Sequence, residues 1–208
     1  MRVLIADDHS VVRHGLKQLI AAAWPQTEFG EGANAAEVMA AAQKQPWDLI
    51  LFDISMPGLS GLEVLQNLRH DYPGVPVLIL TMYSEQQYAL RVLKAGASGF
   101  LNKNCEPEEL LKAIRRITEG GRYVSSSLAE HLAVEIGKKE KQPHELLSDR
   151  EFQVLTAIAS GKTVSEIAAT MSLSVKTVST YRARILEKTG MRTNAELTHY
   201  VIRQGLVA

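Results

Sequence analysis

Five short apolar runs divide the first 120 residues, and their shortness and spacing limit the possible folds more than any other feature. Val3-Leu4-Ile5, a weaker run near Phe29, Leu49-Ile50-Leu51-Phe52, Val77-Leu78-Ile79-Leu80 and Gly99-Phe100-Leu101 have strand length. The strong runs do not alternate with polar residues, as strands buried on both faces do not. The intervening segments, roughly 10 to 23, 34 to 45, 60 to 71, 85 to 96 and 106 to 119, carry apolar residues at helical spacing. In the last of these, Leu110, Leu111, Ile114 and Ile117 form one stripe, with Pro107 in the first turn. Five β-α units in succession predict a doubly wound α/β domain, with a five-stranded parallel sheet and helices on both faces.

Gly120-Gly121 ends this pattern. Leu128, Leu132 and Ile136 repeat every four residues and predict a short linker helix over about 126 to 136. The polar stretch from Lys138 to Pro143 follows as a hinge. No strand signal appears afterwards. Ser148-Asp149-Arg150-Glu151 is a capping box that opens a helix to about Ser160, with Phe152, Leu155 and Ile158 or Ala159 inside. Further helices are expected from about 164 to 171, from the Ser174 cap to about Lys188, and from an Asn194 cap to about Gln204. The predicted organisation is residues 1–120 as the α/β domain, 121–147 as linker, and 148–208 as a small all-α four-helix domain. A chain of 208 residues suits two domains.

Charge separates the halves. Residues 1–120 hold 11 basic and 14 acidic residues, net −3, and residues 121–208 hold the other 12 and 9, net +3, which sum to the overall zero. The one cysteine, Cys105, excludes an intramolecular disulfide and paired CxxC chemistry, and an idle thiol is the expected state. The run Val3 to Ala6 is too short and too quickly followed by acids for a signal peptide, and no apolar stretch has membrane-spanning length. A cytoplasmic location without membrane association is expected.

In a doubly wound sheet, ligands lie outside the carboxyl ends of the strands. At those ends stand Asp7-Asp8, Asp53, Thr81 and Lys103. Taken singly, the acids read equally well as loop residues or a helix cap. Together they place three carboxylates, a hydroxyl and an amine on one edge. Such acids repel unless a cation sits among them, and hard oxygen ligands on an open edge suit Mg²⁺.

These residues, the segment Asp53-Ile54-Ser55-Met56-Pro57-Gly58 with Gly61, and the end Phe100-Leu101-Asn102-Lys103 resemble the receiver domain of two-component response regulators over residues 1–120. The resemblance implies a flavodoxin-like strand order of 2-1-3-4-5. It implies that Asp53 accepts a phosphoryl group from a sensor histidine kinase, with Mg²⁺ held by Asp8, Asp53 and the Ser55 carbonyl and Asp7 acting through water. It further implies that Thr81 and Lys103 bind the phosphoryl oxygens and that Phe100 is the switching aromatic. Two positions depart from the common pattern. Asn104 follows Lys103 where many receivers have proline, so the lysine must be oriented otherwise. Met82 follows Thr81 where a small residue is usual, and its side chain is able to hinder access.

In the second half, the helices around 164–171 and 174–188, joined by Ser172-Leu173, have helix-turn-helix spacing. On a helical wheel of the later one, Val175, Val178, Ile185 and Leu186 share a side. Lys176, Thr177, Thr180, Tyr181, Arg184 and Lys188 point away, flanked by Ser179 and Ala183. Residues 174–192 contain Lys176, Arg182, Arg184, Lys188 and Arg192 against Glu187, net +4, which attracts phosphates. Leu147-Ser148-Asp149-Arg150-Glu151, Gly161-Lys162-Thr163, Glu166-Ile167-Ala168 and the segment from Lys176 to Tyr181 resemble a LuxR-type helix-turn-helix domain. The two halves together resemble a NarL/FixJ-type response regulator. That resemblance implies major-groove binding by the 174–188 helix to double-stranded DNA as a homodimer. Lys176, Ser179, Thr180 and Ala183 are assigned to base edges and Thr177, Tyr181, Arg184 and Lys188 to phosphates. The last helix is expected to be partly core and partly a dimer surface.

The leading expectation is therefore a phosphorylation-activated transcription factor that is not an enzyme in the ordinary sense but hydrolyses its own aspartyl phosphate. Two alternatives stand beside it. A Mg²⁺-dependent aspartyl phosphatase resembling haloacid dehalogenases would use Asp53 but calls for an acid two residues later, where Ser55 stands. A receiver-based interaction protein would not bind DNA.

Overall fold

In the computed structural model, described for residues 1–56, 60–83, 85–126, 128–130 and 142–207 (the side chains of 86 and 87 excepted), the chain divides into two compact units, Met1–His131 and Leu132–Ala208. The first contains strands β1 (Arg2–Ala6), β2 (Glu28–Gly32), β3 (Leu49–Phe52), β4 (Val77–Thr81) and β5 (Gly99–Asn102). They alternate with helices α1 (Ser10–Ala23), α2 (Ala35–Lys44), α3 (Gly61–Asp71), α4 (Glu85–Lys94) and α5 (Pro107–Thr118). The sheet is parallel throughout, in the order β2-β1-β3-β4-β5. This is the doubly wound topology expected.

The unalternating runs are explained by burial on both sides. Side chains alternate across a strand, so Val3, Ile5, Leu49, Leu51, Leu78, Leu80 and Leu101 pack in one cluster with Leu16 and Ile20 of α1 and Leu110, Ala113, Ile114 and Ile117 of α5. Leu4, Ile50, Phe52, Ile79 and Phe100, all fully buried, take the other face, on which α2, α3 and α4 lie in sequence. The stripe on α5 runs through Ala113, and Leu111 is half-buried beside it.

Register places the strand ends side by side. Ala6 pairs with Phe52 and Thr81 with Asn102, so Asp7 is drawn beside Asp53 and Lys103 beside Thr81. The chain after Asp53 returns through a tight approach at Gly61, where an added Cβ would lie 2.4 Å from the Ile54 carbonyl oxygen.

The second unit contains a 3₁₀ turn (Pro143–Leu146) and four helices, α6 (Asp149–Ala159), α7 (Val164–Thr170), α8 (Val175–Thr189) and α9 (Asn194–Arg203). Phe152, Leu155, Ile167, Val178, Ile185, Leu197 and Val201 are fully buried and form its core residues. Two expectations are corrected. The cap of α9 is Thr193, whose hydroxyl accepts the Glu196 amide, and Asn194 is already helical. Val175 is half exposed, because a wheel gives direction around an axis and the first turn of α8 has no cover at that height. The expected linker helix is helical at Ser126 and at 128–130; the rest of it, the hinge except Gln142 and Pro143, and Pro57-Gly58 lie outside the described residues.

Gly61→Ala is expected to destabilise the first unit by about 1–3 kcal/mol, since the methyl group meets backbone that has no rotamer to change. Trp24 and Trp47 both belong to this unit, so urea denaturation followed by tryptophan fluorescence measures it selectively.

Candidate functional site

The carboxyl edge of the sheet brings together the residues singled out in the sequence. Asp7 and Asp53 are each 2% exposed and Thr81 is fully buried. The Lys103 ammonium lies between the two acids, donating to Asp53 Oδ2 at 2.5 Å and pairing with Asp7 Oδ2 at 2.7 Å. Burial disfavours this charge, but the hydrogen bonds to Asp53 and Asp7 outweigh it and hold the lysine pKa above its usual value. The lysine thus stays cationic at neutral pH, and two buried carboxylates coexist around it.

Asp53 Oδ1 is held from its other side. The Ser55 amide donates to it at 2.8 Å and the Ser55 hydroxyl at 2.7 Å; that hydroxyl is also 2.9 Å from Thr81 Oγ1. The family resemblance pointed to the Ser55 carbonyl alone; the structure adds the Ser55 side chain and amide. Without a proline after it, Lys103 is oriented by Asn102. The Asn102 side-chain amide donates to the carbonyls of Met82 and Tyr83, at 3.4 and 3.2 Å, and its oxygen accepts the Asn104 amide at 2.9 Å. Met82 is 59% exposed, so its side chain is largely in solvent. Phe100 is fully buried on β5, three residues before Lys103.

Asp8 is one-third exposed at the mouth. His9, which the sequence reading passed over although it adjoins the two acids, pairs through Nδ1 with Asp8 at 2.9 Å and Asp7 at 3.3 Å. Ligand atoms of Asp7, Asp8 and His9 lie within 4.8 Å of one another. Arg13 also joins the site indirectly. Its guanidinium donates to the Asp7 carbonyl and to Glu31 at 2.7 Å each, tying the β1–α1 turn to the end of β2. Cys105 is half-buried, and burial followed by the Glu109 charge raises its pKa, so the unreactive thiol is the dominant form.

The second unit presents α8 across a tight turn from α7. Ser172 takes a positive φ of 54° in that turn, and Ser174 caps α8 by accepting the Thr177 amide at 3.0 Å. Lys176, Ser179, Thr180, Ala183 and Arg184 are exposed, and Thr177 and Tyr181 are partly so. These residues recur at three- and four-residue spacing and so share one side of the helix. The Thr180 hydroxyl donates to the Lys176 carbonyl at 3.0 Å, which leaves its oxygen to accept.

Lys188 is placed differently. Its ammonium donates to Glu151 Oε2 at 2.6 Å, and Glu151 is a buried carboxylate that also accepts the Ser148 amide at 2.8 Å. Sequence reasoning recognised Glu151 only as the far half of a capping box, because its cation is 37 residues away. Burial opposes ionisation of Glu151, but the bonds from Lys188 and Ser148 prevail and lower its pKa. The pair ties the start of α6 to the end of α8.

Lys188→Ala strands Glu151 and is expected to cost the second unit about 1–3 kcal/mol, less than a wholly buried pair because Lys188 is partly solvated. Glu151→Leu with Lys188→Met is expected to recover most of that loss in a circular-dichroism melt. Because the folded pKa of Glu151 is depressed, its stabilisation is present at neutral pH and disappears as pH falls from the ordinary glutamate range through the lowered value. A stability profile from pH 7 to 3 is expected to fall less steeply in the double variant than in the parent.

Comparison with known proteins agrees with both halves. Residues 3–115 match the response regulator receiver domain family, and residues 145–201 match the family of bacterial regulatory proteins described as luxR. The chain is similar to the response regulator UvrY of Escherichia coli, at 35% identity over 99% of this chain and 95% of that one. It is likewise similar to the response regulator GacA of Pseudomonas aeruginosa, at 34% identity over 100% and 98%. Among solved structures it resembles RcsB of Salmonella enterica serovar Typhimurium bound to the rprA promoter in the presence of the phosphomimetic BeF₃⁻. That match has a TM-score of 0.68 and 25% identity and covers 97% of this chain and 98% of RcsB.

Proposed function

Since the chain belongs to the NarL/FixJ-type response regulators, with a receiver domain followed by a LuxR-type domain, we propose that phosphoryl transfer from a sensor histidine kinase to Asp53 controls its binding to promoter DNA as a homodimer. The observation that carries this reading is the Lys103 ammonium shared by Asp7 and Asp53 beside the buried Thr81 hydroxyl. The arrangement is built to receive negative charge next to a carboxylate.

The residues divide the work as follows. An Asp53 oxygen attacks phosphorus, forming the new O–P bond as the P–N bond to the donor imidazole breaks. Lys103 offsets the charge on the phosphoryl oxygens as they approach. At rest Asp53 Oδ1 accepts from the Ser55 amide and hydroxyl and Oδ2 from Lys103, and a carboxylate oxygen has a second lone pair with which to attack. Mg²⁺ fits the hard donor set of Asp8, Asp53 and the Ser55 carbonyl, with Asp7 acting through water, and when bound it would add positive charge at the phosphoryl group. The part-exposed Asp8 carboxylate at the mouth is suited to a hydrated cation.

After transfer, Thr81 and Lys103 bond the phosphoryl oxygens. Hydrogen bonds to charged groups contribute about 1.5–3 kcal/mol each, or about 3–6 for the two. Shifting a two-state equilibrium from 1:99 to 99:1 takes about 5.5 kcal/mol, so two such bonds come close to throwing a switch. Phe100 is the buried aromatic whose rearrangement would report that change on the outer face of β5. Hydrolysis of the aspartyl phosphate returns the receiver to rest, and the protein acts in the cytoplasm as a regulator rather than as an enzyme with a turnover substrate.

In the DNA-binding unit, Lys176, Ser179, Thr180 and Ala183 are proposed to meet base edges, and Thr177, Tyr181 and Arg184 phosphates. Lys188 has its charge engaged by Glu151, so its contribution to phosphate binding is chiefly through the placement of α8. RcsB bound to promoter DNA supports a similar use of the second unit here.

Asp53→Ala is expected to abolish labelling by a small phosphodonor such as acetyl phosphate, and undiminished stoichiometric labelling would remove Asp53 from this role. Arg184→Ala is expected to weaken binding to all DNA sequences and to lower the log–log salt slope by about 1, whereas Lys188→Ala leaves the slope near that of the parent. Filter binding between 50 and 200 mM salt distinguishes the two.

A further inference from the structure

We propose that residues just beyond α5, Tyr123 to Ser126 together with Leu128, form an intramolecular strap held at once by the element that follows Thr81 and by the strand that carries Phe100, and that phosphorylation of Asp53 releases it. The trigger rests on the phosphoacceptor reading above; the strap itself rests on its own contacts.

The first hold is on β5. The Tyr123 amide donates to the Ser98 carbonyl at 3.0 Å, and the Phe100 amide donates to the Tyr123 carbonyl at 3.4 Å, making a parallel bridge between Tyr123 and Gly99. A Cβ at position 99 would stand 2.8 Å from the Tyr123 carbonyl oxygen, so the approach depends on glycine there. The Tyr123 ring packs against the core cluster beneath α5, and its hydroxyl donates to Glu109 at 3.2 Å. The open edge of β5 is thereby covered at this point.

The second hold is on α4. The Ser125 hydroxyl donates to Glu85 Oε1 at 2.7 Å and accepts the Leu128 amide at 3.1 Å, and Leu128 is only 3% exposed. Glu85 is the first residue of α4 and lies four residues after Thr81. The strap is therefore fastened to both outputs of the phosphoacceptor site. When the Thr81 hydroxyl leaves Ser55 for a phosphoryl oxygen, the short connection to Glu85 moves with it. Phe100 loses its present setting on the same strand that holds Tyr123. These holds lie at the edge of the sheet, so the segment opens locally without unfolding it.

Amide hydrogen exchange of the full chain tests this, with and without Mg²⁺ and beryllium trifluoride, in the parent and in Ser125→Ala. The amides of Tyr123 and Leu128 are expected to exchange about tenfold faster with beryllium trifluoride, as loss of one hydrogen bond to a charged group implies. Ser125→Ala is expected to accelerate both without the phosphomimic, while labelling of Asp53 by acetyl phosphate is unchanged. If residues 53–55 and 81–83 respond to the phosphomimic but 123 and 128 do not, the release is overturned. If none of them responds, the phosphoacceptor reading fails and the trigger with it. Slow exchange of both amides in Ser125→Ala overturns the strap in every case.

Discussion

The first unit depends on one cation placed between two buried carboxylates. Asp7 and Asp53 come from neighbouring strands whose register leaves them side by side, and two carboxylates so close repel one another unless a cation lies between them. Lys103 meets this need from the opposite direction in the chain, at the end of β5. Its position is set by Asn102, which is itself bonded to the carbonyls after Thr81. Electrostatic necessity thus joins the ends of β1, β3, β4 and β5 into one site. Under the proposed function, the cation that would meet an incoming phosphoryl group is already in place.

The proposed switch would work by an exchange of hydrogen-bond partners. Ser55 engages Asp53 and Thr81 together, so a group arriving at Asp53 disturbs Thr81 through a single hydroxyl. A discrete exchange of partners gives two alternative bonded states rather than a gradual deformation. The contacts of Tyr123 and Ser125 lie on the elements that such an exchange would move, and this is how a change confined to a few ångströms at the sheet edge would leave the receiver.

In the second unit another buried carboxylate sets the geometry. Glu151 completes the cap of α6 and binds Lys188 near the end of α8. Helix α8 is consequently held at its C-terminal end by charge and along its length by Val178 and Ile185 in the core, with Lys176, Ser179, Thr180, Ala183 and Arg184 left outside. The local charge of +4 counted along the sequence overstates the free charge, because Lys188 is paired with Glu151; Arg182 bonds the uncharged Asn194 side chain at 2.6 Å and keeps its charge.

The sequence by itself determined the strands and helices, the parallel sheet and the strand-end acids, because strand burial and helix amphipathicity are local patterns that survive without knowledge of partners. Val77 to Leu80 reads as a doubly buried strand and Ser148 to Glu151 as a helix start, and both are found as such. It also pointed to Asp53, Thr81 and Lys103, since topology alone puts strand ends together. Tertiary structure decided which atoms meet. The Ser55 hydroxyl, His9, Asn102, the Lys188–Glu151 pair, the exposure of Val175 and the return of Tyr123 to β5 each depend on contacts that a linear pattern does not encode. Hydrogen bonds and ion pairs act over about 3 Å, whereas periodicity along the chain reports only which side of an element faces inward.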